Sequence, residues 1–561
     1  MLDEGRTGES MKNAGGFERI ARRIGALLYE LTPQLFAVAS FVLGGLMLVS
    51  AVTPAFTGRL QVLDRFSPPF LIDLSHFAAS VTGFLLILVS AGLWRRRRGA
   101  YYAALFGLLI GAAFSLMKGL DWEEAAELSL AAALLAPCRD AFNRRSRLGE
   151  PLRPAWLLML AAAVAAMIWL GFFAYRDTAF TDELWWTFLT DKQASGFLRA
   201  GAVLSILTLA VAVRSLLTAP GARSHGPAGP ADILRARAAL DQADTAPPEA
   251  QLALLGDKAL LFSPSGATFI AYRVRGRRWI AMGEPAGLRS ERLELLWAFA
   301  EMADSYGGAP VFYSVSEGLL ADLATLGLAV RKVGEAAVLD AAAFSTEGKG
   351  KQNLRTAVNR AEREGTTFEV LPAGLASTVA EELRAVSDAW LDHHNGSEKA
   401  FSLGRFDISY LDRSPVAVAR QDGRIVAFAN LLVGARGAEA MIDLMRHAPD
   451  GPHGVMDYLF TRTAQWARAE GFARLDLGMA PLAGLENRRL APVFARVGAL
   501  VFEEGGAVYG FQGLRAYKAK FGPVWRPKFI AAPTTTPLAL ALLDVALLTS
   551  GGWLGLLGLR K

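Results

Sequence analysis

The stretch MIDLMRHAPDGPHGVMDYLF, residues 441–460, decides the reading of the fold. It opens on apolar residues and breaks at a loop carrying Pro449, Gly451, Pro452 and Gly454. It then resumes with Met456, Leu459, Phe460 and Ala467 along one helical face. That pattern predicts a strand over 440–444, a tight loop, and a helix over about 454–470. The apolar run Ala473–Leu477 predicts a further strand directly after the helix. Strand, loop, helix and strand in that order make an α/β unit.

Upstream, the same texture extends back to about residue 251. Short apolar runs at 259–262, 269–274, 279–282 and 310–315 predict strands, and Arg275-Gly276-Arg277 reads as the tight turn of a hairpin. A second series covers Val416–Ala419 and Ile425–Val433. Two similarly built halves are expected, 251–370 and 371–535. Residues 217–250, rich in Pro, Gly and Ala around one short helical run, read as a linker.

The first 216 residues are different. Six apolar stretches lie near 31–52, 77–94, 100–117, 122–137, 155–174 and 196–213, and a membrane span needs about 20 residues. The 122–137 stretch is short and carries Glu123, Glu124 and Glu127, so a buried or re-entrant helix is its alternative. Phe17–Leu28 reads as an amphipathic helix at the membrane surface. With the N-terminus in the cytoplasm, fourteen Lys and Arg residues fall on inner segments and five on outer ones. That is the asymmetry of a multi-pass protein in the bacterial inner membrane, its α/β part cytoplasmic. The tail, 536–561, reads as interfacial: Leu538–Leu548 makes about 16 Å of helix, too short to span. Asp544 interrupts it, and Trp553 is placed near the headgroups.

Composition agrees with this division. Of 561 residues, 52% are hydrophobic and 20% charged, with a net charge of +6, too apolar for a disordered chain. The single cysteine, Cys138, excludes an intramolecular disulfide and a CxxC zinc site. There is no HExxH, no GxSxG and no complete phosphate loop, so no metal site and no ATP hydrolysis are expected. The segment KGKQNLRTAVNRAEREG, 349–365, reads as a helix with Lys351, Arg355, Asn359 and Arg363 spaced by four, Arg360 beside them, and Leu354 and Val358 opposite. With Lys349 it is a candidate polyanion-binding stripe, against the plain alternative of a solvated face.

Several strings then form an ordered set: GEP at 283–285, GKGKQNLRTAVNRAEREG, EKAFSLGRFD at 398–407, the 441–460 stretch, LDLGMAPLAGL, YGFQGLRAYKAKF and VWRPKF. Over roughly 250–533 they resemble the C-terminal domain of the bacterial aminoacyl-phosphatidylglycerol synthases, the multiple-peptide-resistance-factor family. The resemblance implies a tandem of GNAT-like acyltransferase folds behind a helical membrane domain. It implies transfer of an amino acid, lysine or alanine, from aminoacyl-tRNA to the glycerol hydroxyl of phosphatidylglycerol, which lowers membrane negative charge and gives resistance to cationic antimicrobial peptides. Such a reaction exchanges ester for ester, so no cofactor is expected. The loop 446–454 also lacks the coenzyme A pattern, and Pro449 and Pro452 remove amide donors that a pyrophosphate needs.

Within these motifs the candidate catalytic residues are Asp443, Arg446, Glu504, Arg515 and Lys518. Asp443, at a strand end, is assigned the glycerol hydroxyl and Arg446 the lipid phosphate, a structural Asp443–Arg446 ion pair being the alternative. Arg515 and Lys518, a helical turn apart, are assigned the tRNA end or the developing oxyanion, and Glu504 the donor amino group. Lys349, Lys351, Arg355, Arg360 and Arg363 are assigned to tRNA. Two other classes stand beside this one: aminoacylation of a peptidoglycan precursor, and a non-enzymatic membrane scaffold. The six-span arrangement is checked by cysteine labelling. Positions 145 and 225 are expected to react from the cytoplasmic side and 185 from the outside; labelling of 145 and 185 from one side overturns it.

Overall fold

A computed structural model of the protein describes residues 30–50, 69–119, 121–145, 225–394, 396–504 and 511–556. The chain divides into two compact units, Met1–Gly221 with Ser305–Gly307, and Ala222–Asp304 with Gly308–Lys561.

The first unit is helical where it is described. It holds α1 (Thr32–Ser50), α2 (Pro69–Trp94), α3 (Arg98–Gly119) and α4 (Trp122–Leu135), each packed on the next. Glycines let α1 and α2 touch: a side chain at Gly44 would lie 2.6 Å from the Gly83 carbonyl oxygen. Leu35, Phe41, Phe106 and Leu109 point outward. Among the described helices, Thr32–Ser50 and Arg98–Met117 are long and apolar enough to cross a membrane. The 122–137 stretch forms a helix of 14 residues, about 21 Å, which is too short to span. The stretches near 155–174 and 196–213 and the Phe17–Leu28 segment lie outside the described residues.

The second unit is built on one sheet of eleven strands. These are β1 (Ala259–Phe262), β2 (Phe269–Arg275), β3 (Arg278–Met282), β4 (Ala309–Val315), β5 (Ala329–Asp340), β6 (Thr367–Leu371), β7 (Val416–Gln421), β8 (Arg424–Val433), β9 (Glu439–His447), β10 (Arg474–Pro481) and β11 (Val524–Ala532). Their spatial order is β1-β2-β3-β4-β11-β5-β10-β9-β8-β7-β6. The hairpin at 275–277 forms as expected, with Gly276 at φ 60°. Two parallel pairs carry the architecture. β3 and β4 are joined through α6 (Arg292–Ser305), and β9 and β10 through α9 (Val455–Ala469).

Between them the two halves exchange strands. β5, which follows the first half, pairs antiparallel with β10 of the second; β11, which follows the second, pairs antiparallel with β4 of the first. β5 and β11 then pair with each other over nine registered positions, Val524↔Val338 to Ala532↔Ala329. The division expected at residue 370 therefore does not separate two sheets. Helix α7 (Gln352–Arg363) and β6, counted with the first half, sit with the second: Leu354 and Val358 of α7 enter the core that α9 covers.

Two further expectations change. Part of the linker is folded: α5 (Pro230–Asp241) buries Ile233, Ala236 and Ala239 against Phe269 and Ala271 of β2. The tail is a packed helix rather than an interfacial one. α12 (Leu538–Thr549), which follows α8 (Ala380–His393), α10 (Val493–Glu504) and α11 (Phe511–Ala519) in the chain, buries Ala541 and Val545 against Ile280, Val311 and Ile530. Asp544, the residue that interrupts its apolar run, is paired with Arg275 at 3.1 Å and with Arg278. A carboxylate on a packed helix face requires such partners. Asp544→Ala leaves two guanidinium groups facing an apolar helix. It is expected to cost about 1–3 kcal/mol, read as an earlier urea midpoint of the detergent-solubilised protein. An unchanged midpoint would return the tail to the interface.

Candidate active site

The strand β9 does not alternate cleanly. Ala429 of β8 opposes Met445 and Leu431 opposes Ile442, so Asn430 alone faces both Asp443 and Leu444. This β-bulge places Asp443 and Leu444 on the same face, where strict alternation predicts opposite faces. The Asn430 side chain holds the bulge, its Oδ1 accepting from the Leu444 amide at 2.7 Å. Its buried Nδ2 lies beside the Asp443 carboxyl, which it helps to stabilise.

The bulge aims Asp443 at a strap formed by residues 396–407. The Gly404 amide donates to Asp443 Oδ1 at 2.9 Å and the Tyr410 hydroxyl to Oδ2 at 3.0 Å. A Cβ at position 404 would lie 1.9 Å from Asp443 Oδ2, so only glycine fits there. The Phe401 amide donates to Asp257 Oδ2 at 2.7 Å, and Asp257 pairs with fully buried Lys258 at 2.6 Å. Burial pushes the Asp443 carboxyl up, opposed by hydrogen bonds from Gly404, Tyr410 and Asn430 and by the charge of Lys258. Burial and the facing Asp443 push the Tyr410 hydroxyl well up, so it stays a donor.

Arg446 is not paired with Asp443. It forms a two-pronged bridge to Glu398 at the start of the strap, at 2.9 and 2.7 Å, donates to Ser387 of α8, and lies over the Trp390 ring at 5.3 Å. Its side chain is 3% exposed, with both terminal nitrogens occupied. The lipid-phosphate role expected of Arg446 does not match this geometry: its terminal nitrogens are committed to Glu398 and Ser387, so a phosphate would have to displace Glu398.

On the other side of β9 the sheet opens. β9 and β10 pair only from Arg474↔Glu439 to Asp476↔Met441, and β10 then turns at Gly478, φ 88°. Lys518 of α11 enters this split, donating to the Met479 carbonyl at 3.2 Å. Burial lowers Lys518 to about 8, with Asp476 opposing. Burial raises Asp476 to about 6, opposed by Lys528 and Lys518. Asp476 lines a cavity of about 290 Å³ with Glu249, Glu284, Arg526 and Lys528. Lys528 binds Glu249 at 2.6 Å; burial pulls its ammonium down, but Glu249 and Asp476 override this and hold it up. Met441 aligns with Asp476, and Asp443 follows two residues on, so cavity and strap occupy neighbouring places on one face.

Comparison with known proteins bears on this arrangement. The sequence pattern described as phosphatidylglycerol lysyltransferase, C-terminal, matches residues 237–532, more than half of the chain. The chain belongs to that family. The phosphatidylglycerol lysyltransferase of Bacillus subtilis is 30% identical over 522 residues, 92% of this chain and 60% of that protein. The one from Staphylococcus epidermidis is 32% identical over 276 residues, 49% of this chain and 33% of that protein. The chain thus spans 60% or less of the length of these relatives. Two solved structures each match 58% of this chain and 98% of their own. One is the C-terminal domain of a protein described as a lysylphosphatidylglycerol synthetase from Agrobacterium fabrum, at 42% identity and TM-score 0.52. The other is L-PGS from Bacillus licheniformis, at 34% and 0.51.

Within this phosphatidylglycerol lysyltransferase-family domain, the candidate residues fall into separate groups. Asp443 and Lys518 flank the split in the sheet. Arg515 binds Glu335 of β5 at 3.2 Å and lies over Trp525 of β11 at 4.5 Å, one turn from Lys518 on the side of α11 that meets the sheet. The Glu504 side chain lies outside the described residues. The basic stripe is divided. Lys351 donates to the Phe521 carbonyl and Arg355 to those of Thr346 and Gly348, so both tie the chain together. Lys349, Arg360 and Arg363 remain exposed, Arg360 bridging to Glu364 at 2.8 Å.

Sequence reading missed Tyr410, Asn430, Asp257, Lys258, Glu398 and Asp476 as members of the site. The only signals were the acids in DLG (476–478) and EKAFSLGRFD. Gly404→Ala is expected to displace Asp443 and lower turnover on the order of 10²-fold, the scale of a misplaced catalytic group. Glu398→Gln is expected to follow it more weakly. Wild-type rates for both, in a transfer assay to lipid, would detach the strap from the chemistry.

Proposed function

We propose that the protein transfers an amino acid from aminoacyl-tRNA to the glycerol hydroxyl of phosphatidylglycerol at the inner membrane, the first unit anchoring it there as a multi-span bundle. We read the second unit as two GNAT-like halves that exchange their last strands. The observation that carries the activity is the split between β9 and β10, where a partly depressed lysine and two buried carboxylates converge, in a chain of this family. Alternatives acting on a peptidoglycan precursor, or without catalysis, gain no support from the family match.

In this reading the cavity with Asp476 takes the donor amino group, a cation suited to its carboxylates. Asp443 orients the glycerol hydroxyl and accepts its proton, with Asn430 and Tyr410 steadying its carboxylate. The hydroxyl oxygen bonds to the ester carbon, and Lys518, charged, meets the oxygen that becomes negative. The bond from that carbon to the tRNA ribose oxygen breaks, and the ribose oxygen takes up a proton. Exposed Lys349, Arg360 and Arg363 bear on the tRNA backbone.

The pH dependence follows from the two shifted groups. Asp476 must be ionised, so kcat/KM rises as pH passes about 6. Lys518 must be charged, so kcat/KM falls as pH passes about 8. Lys518→Arg is expected to remove the alkaline limb and Asp476→Asn to leave only the part of the acid limb that Asp443 sets, measured with one aminoacyl-tRNA preparation for all variants. An alkaline limb unchanged in Lys518→Arg would exclude Lys518 as the titrating cation.

A further inference from the structure

Helix α10 carries a feature that the reaction does not use. On its inner side Phe494 packs on the apolar cluster that contains Phe401 and Met479. Phe401 belongs to the strap, and Met479 is the residue whose carbonyl holds Lys518. Helix α10 therefore forms part of the wall beside the split. On its outer side Val493 is 66% exposed and Val497 and Leu500 54% each, and Leu490, in the turn before the helix, is 86% exposed. Single exposed apolar residues are ordinary, but Val493, Val497 and Leu500 recur at spacings of four and three and make one helical stripe, with exposed Leu490 in the turn just before it.

The charges beside the stripe are cationic. Arg489 and Arg496 are exposed along it. Arg488 pairs with Glu486 at 3.0 Å, and the remaining acids of the segment, Glu503 and Glu504, stand at the far end of the helix. Helix α10 has 12 residues, about 18 Å, too short to cross a membrane but suited to lie in its surface. Beyond α12, which packs on the same cluster, Trp553 and Leu554 are 55% and 60% exposed and extend the apolar surface of this unit.

We propose that α10 is a bilayer-docking helix. Its Val493–Val497–Leu500 stripe, with Leu490 of the preceding turn, sinks into the interface of an anionic membrane, with Arg489 and Arg496 on headgroup phosphates, so that the split opens where acceptor lipids lie. An apolar stripe flanked by arginines matches an anionic lipid surface in both polarity and charge. This rests on the proposed function only in taking the acceptor to be a lipid, and its test reads depth rather than activity.

The test uses the full chain in nanodiscs, with Cys138→Ser and a single cysteine at Val497→Cys carrying the environment-sensitive dye NBD. In discs containing phosphatidylglycerol, the expected result is blue-shifted emission quenched by lipids bearing a nitroxide near the headgroup. The same label at Lys349→Cys is expected to stay water-like. Arg489→Gln with Arg496→Gln, or phosphatidylcholine-only discs, are expected to reduce the quenching. Water-like emission at 497 overturns the proposal. Blue-shifted emission without nitroxide quenching also overturns it, because protein then covers the stripe, either the chain's own membrane unit or a second copy. As a second reading, Val497→Asp with Leu500→Asp is expected to raise KM for bilayer phosphatidylglycerol about tenfold or more, with the rate on detergent-dispersed short-chain phosphatidylglycerol unchanged. Equal loss on both substrates would count against docking, whereas loss of all transfer by the wild type would count against the proposed function alone.

Discussion

The antiparallel pairing of β5 with β11 is the constraint on which the second unit depends. Each of these strands completes the half to which it does not belong by sequence, and their shared ladder closes eleven strands into one sheet. Neither half is finished without the other: removing β11 would leave β4 and β5 each without a neighbour, and β11 carries Lys528 into the cavity. Its Pro527 sits at a position facing Glu335, and the register slips by one residue beyond Lys528. A strand that lacks one amide donor and faces a bulge on each side, at Val333 of β5 and Ser314 of β4, is a poor isolated element, and it is held here by pairing on both sides.

From that sheet the site follows by two local departures from regularity. The bulge opposite Asn430 turns Asp443 toward the strap, and the turn at Gly478 parts β10 from β9 so that Lys518 can enter. Both departures cost ladder hydrogen bonds, and side chains recover part of the loss: Asn430 accepts from Leu444, and Asp476 accepts from the Gly478 amide at 2.7 Å. Asp476 thus both fixes the turn that parts the strands and lines the cavity. Burial shifts Asp476 and Lys518 toward neutrality from opposite directions, which keeps an acid and a base near physiological pH within one sheet opening.

The strap explains why Arg446 and Asp443 behave as one motif while pointing to different partners. Arg446 fixes Glu398 at the start of the strap, and Gly404 further along it fixes Asp443. Loss of either end loosens the same loop. A buried arginine bridged to a carboxylate and stacked on an indole is a rigid post, since its two terminal nitrogens are committed.

Sequence alone determined what is local or repeated. The strand–loop–helix–strand of 440–477, the 275–277 hairpin and the helix over 352–363 follow from apolar periodicity and turn residues that act within a few positions. The apolar excess of the first unit was equally legible, because helix length and outward-facing apolar residues are set by composition. Motif order singled out Asp443 and Lys518, which the fold brings to the two sides of the split. Only the tertiary structure decided the rest, because it depends on groups brought together from far along the chain. Strand exchange joins residues about two hundred positions apart, as in Val524↔Val338. Asp544 reads as a break in an apolar tail until Arg275 and Arg278 are found beneath it. Arg446 reads as a phosphate ligand until Glu398 is found on it, and Lys351 as part of a basic stripe until the Phe521 carbonyl is found. A charged side chain declares its sign in the sequence, but whether that charge is free depends on the partner the fold supplies.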